Sequence, residues 1–474
     1  MSAVGQIEKK TQQRVVKLFH EQLGYTYLGD WADRIGNSNI ERDLLQASLK
    51  KRGYDDNLIG RALHLFEKAA GDTSKSLYDR NKEVYGLLRY GVKVKPDVGE
   101  NTQTVWLIDW ENRQQNDFGV AEEVSVATAN AKANDKRPDI VLYVNGIALG
   151  VLELKRSTVS VAEGIRQNLD NQKKEFIEPF FSTMQFLMAG NDTEGLRYGT
   201  IDTREKYFLS WKEENPQYVL GQPTDRKYLS NSECEAGASL LDCALARLCH
   251  KSRFLELIHD DVVFDAGTKK LCRHNQFFGV RAAQNFVRRL EGGIIWHTQG
   301  SGKSLTMVWF AKWIRENVTD SRVLIVTDRT ELDQQVSTVF GGVGEMIYRT
   351  SSGADLIATL NARKPRAARI MSSTAWSPMR WARSTTIFTC TSAVALIRTD
   401  AACWRTSFST SASPRFSSSL RQAAAVDAVR RPCSRSKTSY PGPSMTLNLP
   451  PCRPFGMSPC LLADEFARRY TWRL

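Results

Sequence analysis

The chain has 474 residues, 42% hydrophobic and 25% charged, which is core material for two or three domains. No apolar run nears the roughly 18 residues that span a bilayer and the N-terminus shows no signal segment, so a soluble, cytoplasmic protein with no membrane partner is expected. The net charge of +13 looks like a nucleic-acid signature, but +12 of it lies in 366–474 and only +1 in 1–365, so the basicity belongs to the tail.

In chain order, the first informative stretch is "RPDIVLYVNGIALGVLELKRS" at 137–157. Two apolar runs, 140–144 and 147–154, flank Asn145-Gly146, the strongest short-range hairpin signal. Asp139, Glu153 and Lys155 are out of place there, because an ionised carboxylate in a buried strand costs several kcal/mol unless it is paired or bound to metal. A simple two-residue turn sets Asp139 opposite Leu152 and puts Glu153 on the other face. A slip of one residue, through a three-residue loop or a bulge at Gly150, sets Asp139 opposite Glu153, with Lys155 on the same face. Two carboxylates there suit a hard cation such as Mg²⁺, and the lysine can position or activate a water, as phosphodiester hydrolysis requires. The bland alternative is a surface hairpin with a solvated salt bridge.

Nine cysteines carry no metal pattern: Cys234, Cys243, Cys249 and Cys272, with His250, include no Cys-x-x-Cys pair, so reduced structural thiols are expected. No internal repeat stands out. Further on, "GGIIWHTQGSGKSLTMVWFAKWIREN" at 292–317 reads as strand, glycine-rich loop and helix. Gly302-Lys303-Ser304 matches the end of a phosphate-binding loop, although His297 stands where its first glycine would be. Gly300 and Gly302 let backbone N–H groups approach phosphates, Lys303 reaches the β/γ-phosphates, and Ser304 is placed to ligate Mg²⁺. "SRVLIVTDRTELDQQV" at 321–336 supplies the next strand and helix of a parallel βαβ unit.

The first motif resembles that of the PD-(D/E)xK nucleases: Pro138-Asp139, a hairpin, then Glu153-x-Lys155. The resemblance implies Asp139, Glu153 and Lys155 as catalytic residues, with Asp139 and Glu153 as metal ligands. It implies accessory groups as well, for which Glu41 upstream and Gln167 or Gln172 in "EGIRQNLDNQKKEF" are the candidates. Phe176 stands four residues after Gln172, where a tyrosine is often found. The second region resembles superfamily II helicase motors, with Thr327, Asp328 and Arg329 in the next motor motif. In "CRHNQFFGVRAAQ", Gln276 matches their adenine reader, beside Arg273. ATP with Mg²⁺ is the implied cofactor.

A nuclease hairpin followed by a motor-type ATP site is similar to the restriction subunit of type I restriction-modification enzymes, over roughly 1–365. The resemblance implies an ATP-dependent DNA endonuclease and translocase subunit acting on double-stranded DNA, with methyltransferase and specificity subunits as partners. The expected architecture is α/β: a PD-(D/E)xK nuclease domain over 1–255, the start of a RecA-like helicase lobe over 256–365, and an irregular, aberrant tail over 366–474. That tail has 15 arginines to one lysine and no strand or helix period, which fits a shifted reading frame and early termination. The motor's Asp-Glu-x-His element is missing; Asp464-Glu465 lacks the following histidine. Motor turnover is therefore expected to be defective, and a noncatalytic DNA- or nucleotide-binding fragment is the alternative reading.

Overall fold

Asn145 and Gly146 close the hairpin with positive φ at both positions, 50° and 82°, as a two-residue type I′ turn requires. Only glycine fits the second: a Cβ on Gly146 would lie 2.7 Å from the Glu41 carbonyl and 2.8 Å from the Leu45 nitrogen. The turn is thereby clamped on the start of a helix, and Glu41 N–H donates to the Gly146 carbonyl at 2.8 Å.

The computed structural model describes residues 3–96, 99–128, 136–213 and 239–358, apart from 296, 299, 320, 328–329, 346, 350, 353 and 356–357, and then three strands within 370–398. Its first part runs α1 (Ala3–Lys17), β1 (Thr26–Asp30), α2 (Arg42–Lys51), α3 (Asp56–Ala70), α4 (Leu77–Tyr90), β2 (Val92–Val94), β3 (Gln103–Val105) and β4 (Phe118–Glu122). There follow β5 (Ile140–Val144), β6 (Ile147–Leu154), α5 (Val161–Asn171), β7 (Phe186–Asn191), β8 (Gly195–Gly199), α6 (Leu240–Leu248) and α7 (Lys251–Asp260). Four of these helices, α3 to α6, start where short polar side chains cap them: Asp55 accepts from Leu58 N–H, Ser76 from Asp79, Ser160 from Ala162 and Ser239 from Asp242. Each such cap stabilises its helix by about 1 kcal/mol.

Six strands form one mixed sheet in the order β1-β4-β5-β6-β7-β8, with β5 and β6 at its centre. Both are buried along their whole length, which explains their unbroken apolar sequence. One face packs on Leu63 and Phe66 of α3, Leu241 of α6 and Phe254 of α7. The other packs on Val161 and Ile165 of α5 and on Ile177, Phe180 and Phe181.

The second part runs β9 (Val262–Asp265), β10 (Thr268–Leu271), α8 (His274–Arg288), β11 (Gly293–Ile295), α9 (Lys303–Asn317), β12 (Arg322–Thr327), α10 (Thr330–Gly342) and β13 (Ile347–Arg349), then β14 (Ile370–Ser373), β15 (Thr385–Cys390) and β16 (Ala393–Arg398). Strands β11 and β12 fall where the sequence places them. Their sheet has the order β11-β15-β16-β12-β14-β13. It is not wholly parallel as expected, because β16 runs antiparallel to both β15 and β12. Nor does the sequence anticipate β14, β15 and β16, which lie in the segment expected to be irregular; the rest of 366–474 lies outside the described residues.

The expected boundary at 255/256 falls inside α7. One apolar core runs from Val15 through Phe254 and Phe277 to Trp309 and Phe340. No helix among the described residues is long and apolar enough to cross a membrane.

Candidate functional site

The register of the hairpin decides whether its charges meet. Near the turn Val144 pairs Ile147 and Tyr143 pairs Ala148; beyond it Leu142 pairs Gly150, Val141 pairs Val151 and Ile140 pairs Leu152. One extra residue in β6 has been absorbed at Leu149–Gly150, a bulge that shifts the phase of the strand. Ile147, Leu149, Leu152 and Leu154 consequently face one core, while Ala148 and Val151 face the other. Glu153 follows Val151 by two residues and Asp139 precedes Val141 by two, so both carboxylates lie on the face covered by α5.

Contacts from outside the hairpin hold the bulge. Thr183 Oγ1 donates to the Ala148 carbonyl at 2.7 Å and Gln185 N–H to the Leu149 carbonyl at 2.8 Å. The 178–185 segment is itself pinned by a buried Arg80–Glu178 pair at 2.7 Å and by the Asn81 amide, which donates to the carbonyls of Phe181, Ser182 and Met184.

Asp139 accepts from Leu154 N–H through Oδ2 at 2.6 Å. Glu153 is fully buried, and among the described residues neither of its carboxylate oxygens has a hydrogen-bond partner. Burial, and after it the Asp139 carboxylate, push its pKa well above the usual carboxylate range, against the pull of Lys155. Lys155 is half-exposed and anchored through its backbone N–H to the Gly190 carbonyl at 2.9 Å. Helix α5 comes close over this corner because of Gly164, where a Cβ would meet those of Ala189 at 3.1 Å and Glu153 at 3.4 Å.

A pair of adjacent carboxylates, of which Glu153 is buried with no hydrogen-bond donor among the described residues, fits a hard divalent cation, which would relieve both the burial and the like-charge repulsion. Among the described residues no three of His, Cys, Asp and Glu converge in this way, so further ligands would come from backbone carbonyls, water or a substrate phosphate.

The accessory candidates separate. Gln167 is half-buried, one turn along α5 from Gly164 and on the same side of the helix. Gln172 lies two turns from Gly164 and is occupied: its Nε2 donates to the Asn168 carbonyl at 2.8 Å and its Oε1 accepts from Asp202 N–H at 2.9 Å. Glu41 does not join the pair, because it precedes α2 at the turn end of the hairpin, roughly 20 Å away at about 3.3 Å per residue. There it takes Ser38 N–H at 3.0 Å and the Arg34 guanidinium. Glu41 occupies the N-cap position of α2, but its side chain makes no cap hydrogen bond there and is buried. Sequence reasoning missed Gln12 of α1, whose amide reaches Glu122 at 3.2 Å and the Asp139 carbonyl at 3.4 Å. It also missed Glu123, whose charge acts on Glu153.

In the second part Lys303 begins α9 after Gly300 and Gly302, whose φ values are 75° and 85°. Its ammonium donates to the carbonyls of Thr298 at 3.1 Å and His297 at 3.3 Å. Gln276 comes to the same loop: its Nε2 donates to the Gly302 carbonyl at 2.9 Å while its Oε1 takes Arg273 N–H at 2.8 Å. Ser304 follows in the first turn of α9, half-buried. Gln276, Gly300, Gly302, Lys303 and Ser304 are thus gathered at one helix N-terminus, a natural seat for phosphates. Thr327 ends β12, and Asp328 and Arg329 lie outside the described residues.

The model of the type I restriction enzyme R protein N terminus matches residues 5–206, and that of the SWI2/SNF2 ATPase matches 275–387, beyond the change of composition near 366. Among curated relatives, a putative type I restriction enzyme endonuclease subunit, MjaIXP, of Methanocaldococcus jannaschii is 28% identical over 318 residues, 62% of this chain and 30% of that protein. The HindI endonuclease subunit of Haemophilus influenzae is 27% identical over 292 residues, 57% of this chain and 26% of that protein. The chain thus spans less than a third of the length of these relatives. Residues 5–206 form the N-terminal domain of a type I restriction enzyme R protein, and the chain continues into a segment of SWI2/SNF2-type ATPase.

Proposed function

We propose that the corner formed by Asp139, Glu153 and Lys155 is a PD-(D/E)xK-type centre that hydrolyses phosphodiester bonds of double-stranded DNA with Mg²⁺. The observation that carries this reading is the orphaned, fully buried Glu153 carboxylate on the same sheet face as Asp139. Asp139 and Glu153 would hold the ion, which when bound polarises the phosphate and favours hydroxide. Leu154 N–H fixes the Asp139 carboxylate so that one oxygen stays oriented. Lys155, two residues beyond Glu153, stands where its Nζ can orient a water on the phosphate and balance the charge that develops there. Gln167 rather than Gln172 is the accessory group, since the amide of Gln172 is spent on Asn168 and Asp202.

In this reading the second part binds ATP with Mg²⁺ at Gln276, Gly300, Gly302, Lys303 and Ser304, with Thr327, Asp328 and Arg329 in the next motor motif. The chain acts as the endonuclease and motor subunit of a type I restriction system, together with methyltransferase and specificity subunits. Nucleotide binding is the motor activity that its gathered residues support. The deciding experiment is Mg²⁺-dependent nicking of supercoiled DNA by the purified chain and by Asp139→Ala. Nicking lost in the variant, with ATP binding retained, supports the reading. Wild-type protein that binds nucleotide and DNA but does not nick leaves only the noncatalytic alternative.

A further inference from the structure

Away from both sites, a cavity of about 660 Å³ opens between the 110–115 loop, α7 and α8. Arginines dominate its wall. Arg253 is held by Glu213 at 3.0 Å, and Arg281 by Glu256 at 2.7 Å and Asp261 at 2.9 Å, so these two guanidiniums are balanced and rigid. Arg247 and Arg288 differ, for their hydrogen bonds go to neutral partners, the Glu213 carbonyl at 3.3 Å and the Asn285 side chain at 2.8 Å. Among the described residues neither has an ion pair, and their charge is uncompensated within the wall. Arg113 adds a fifth guanidinium, 4.0 Å from Asp260.

Two sets of hydrogen-bond donors face the same space. Helix α7, ten residues long, begins at the cavity with Ser252 and Arg253 in its first turn, and its N-cap residue, His250, offers no side-chain acceptor to the orphan N–H groups. Burial and the neighbouring Arg253 and Lys251 lower the His250 pKa to about 4, so the ring is neutral at physiological pH. Gln284, which also lines the cavity, is 3% exposed, and among the described residues its Nε2 has no hydrogen-bond partner. A buried amide donor left unpaired costs about 1–3 kcal/mol, so its presence in a polar cavity points to an acceptor that fills the space.

We infer that this cavity binds a phosphoanion at a second site, distinct from the phosphate loop, through Arg247, Arg288, the Gln284 amide and the N-terminus of α7. Guanidinium forks, an uncapped helix start and a neutral amide donor are complementary to phosphate oxygens and offer nothing to a cation. The carboxylates on the wall do not oppose this: Glu256 is committed to Arg281, and Glu111 is exposed at the rim. The phosphate can come from a free oligophosphate or from a DNA backbone, and the two sources are separable.

The test uses the full chain carrying Lys303→Ala, so that the phosphate loop does not contribute, titrated calorimetrically with inorganic pyrophosphate and, separately, with a short DNA duplex. One residual site is expected, weakened at least tenfold by Arg247→Gln with Arg288→Gln. Both arginines reach solvent and are replaced without opening a core. Gln284→Met is the second variant: it removes the unpaired amide from a buried position, and is expected to weaken the residual site several-fold with no loss of thermal stability. Weakening of pyrophosphate binding alone assigns the site to a free anion, and parallel weakening of duplex binding assigns it to the DNA backbone. Residual binding of neither ligand, or binding indifferent to both sets of variants, overturns the inference.

Discussion

The hairpin corner and the phosphate loop are both built to meet phosphate chemistry, yet they wait for it in opposite electrostatic states. At the corner Glu153 is buried, with both oxygens unpartnered among the described residues and a second carboxylate beside it, so the protein alone is frustrated there. At the loop the ammonium of Lys303 is spent on the carbonyls of His297 and Thr298, and the amide of Gln276 on Gly302 and Arg273, so the protein alone is satisfied. A cation at the corner would relieve a strain already present, whereas a nucleotide at the loop must displace hydrogen bonds already made. The first site therefore gains its affinity from the protein's unfavourable ground state, and the second is taxed by a favourable one.

The largest expected effects come from crossing the two sites. Asp139→Ala should lower Mg²⁺-dependent nicking on the order of a thousandfold, equivalent to several kcal/mol of lost charge stabilisation, and leave ATP binding unchanged. Lys303→Ala should weaken ATP binding on the order of a hundredfold, through loss of a charged hydrogen-bond donor of about 1.5–3 kcal/mol, and leave basal nicking unchanged. Equilibrium nucleotide binding and plasmid nicking, measured on both variants, check the independence. If either substitution abolishes both activities, the two-state comparison fails.

The two glutamines of α5 sharpen the boundary of the corner. Gln167→Ala is expected to slow nicking about 10–100-fold with an unchanged melting temperature, as loss of a group that orients the site does. Gln172→Ala should do the reverse: stability falls by about 1–3 kcal/mol as Asp202 N–H and the Asn168 carbonyl lose their partner, and the rate per folded molecule stays the same. Paired denaturation and nicking measurements distinguish them.

How far the sequence foretells these sites depends on how local their causes are. The turn at Asn145-Gly146, the two strands and the helix after Gly302 are all fixed by neighbours in the chain, and all lie where the pattern puts them. The register is another matter. Both pairings of the hairpin are open in its own residues, and what selects the bulge is a pair of hydrogen bonds from Thr183 and Gln185, some 35 residues on. Glu41 shows the opposite failure, since one acidic residue before a helix suits a cap and an active site equally well, while its carboxylate is taken by Ser38 N–H and Arg34, which no local pattern announces. Gly164 carried a usable signal, a glycine inside an otherwise amphipathic helix, which often marks close approach.

The pH dependence of cation binding sharpens the comparison further. With the Glu153 pKa raised by burial and by Asp139, a divalent cation must displace a proton over the window between the ordinary carboxylate range and the raised value. Mg²⁺ affinity is expected to rise about tenfold per pH unit in that window and to level off above it. At the phosphate loop no carboxylate pair takes part, so ATP affinity should show no matching slope. Mg²⁺ titrations across pH on the wild-type chain and on Glu153→Gln, in which the slope should vanish, check this.

The smallest effect isolates the frustration itself. A buried acid whose folded pKa is raised contributes stability that is fully present below its unfolded value, near 4.5, and is lost as pH rises toward the folded value. Glutamine in place of Glu153 never ionises, keeps the size of the side chain and presents an N–H donor to the Asp139 carboxylate. Without divalent cation, Glu153→Gln should therefore match the wild type near pH 4 and exceed it progressively at higher pH. A gain on the order of 1 kcal/mol corresponds to roughly 2–4 °C in Tm for a domain of this size. The same substitution at saturating Mg²⁺ should reverse in sign, since the wild type then gains the binding energy of the ion and the variant does not. Thermal melts at pH 4, 6 and 8, with and without Mg²⁺, read all of this from one pair of proteins. A variant less stable than the wild type in the absence of cation at pH 8 would mean that the Glu153 carboxylate is already satisfied within the protein, and the contrast between the two sites would collapse.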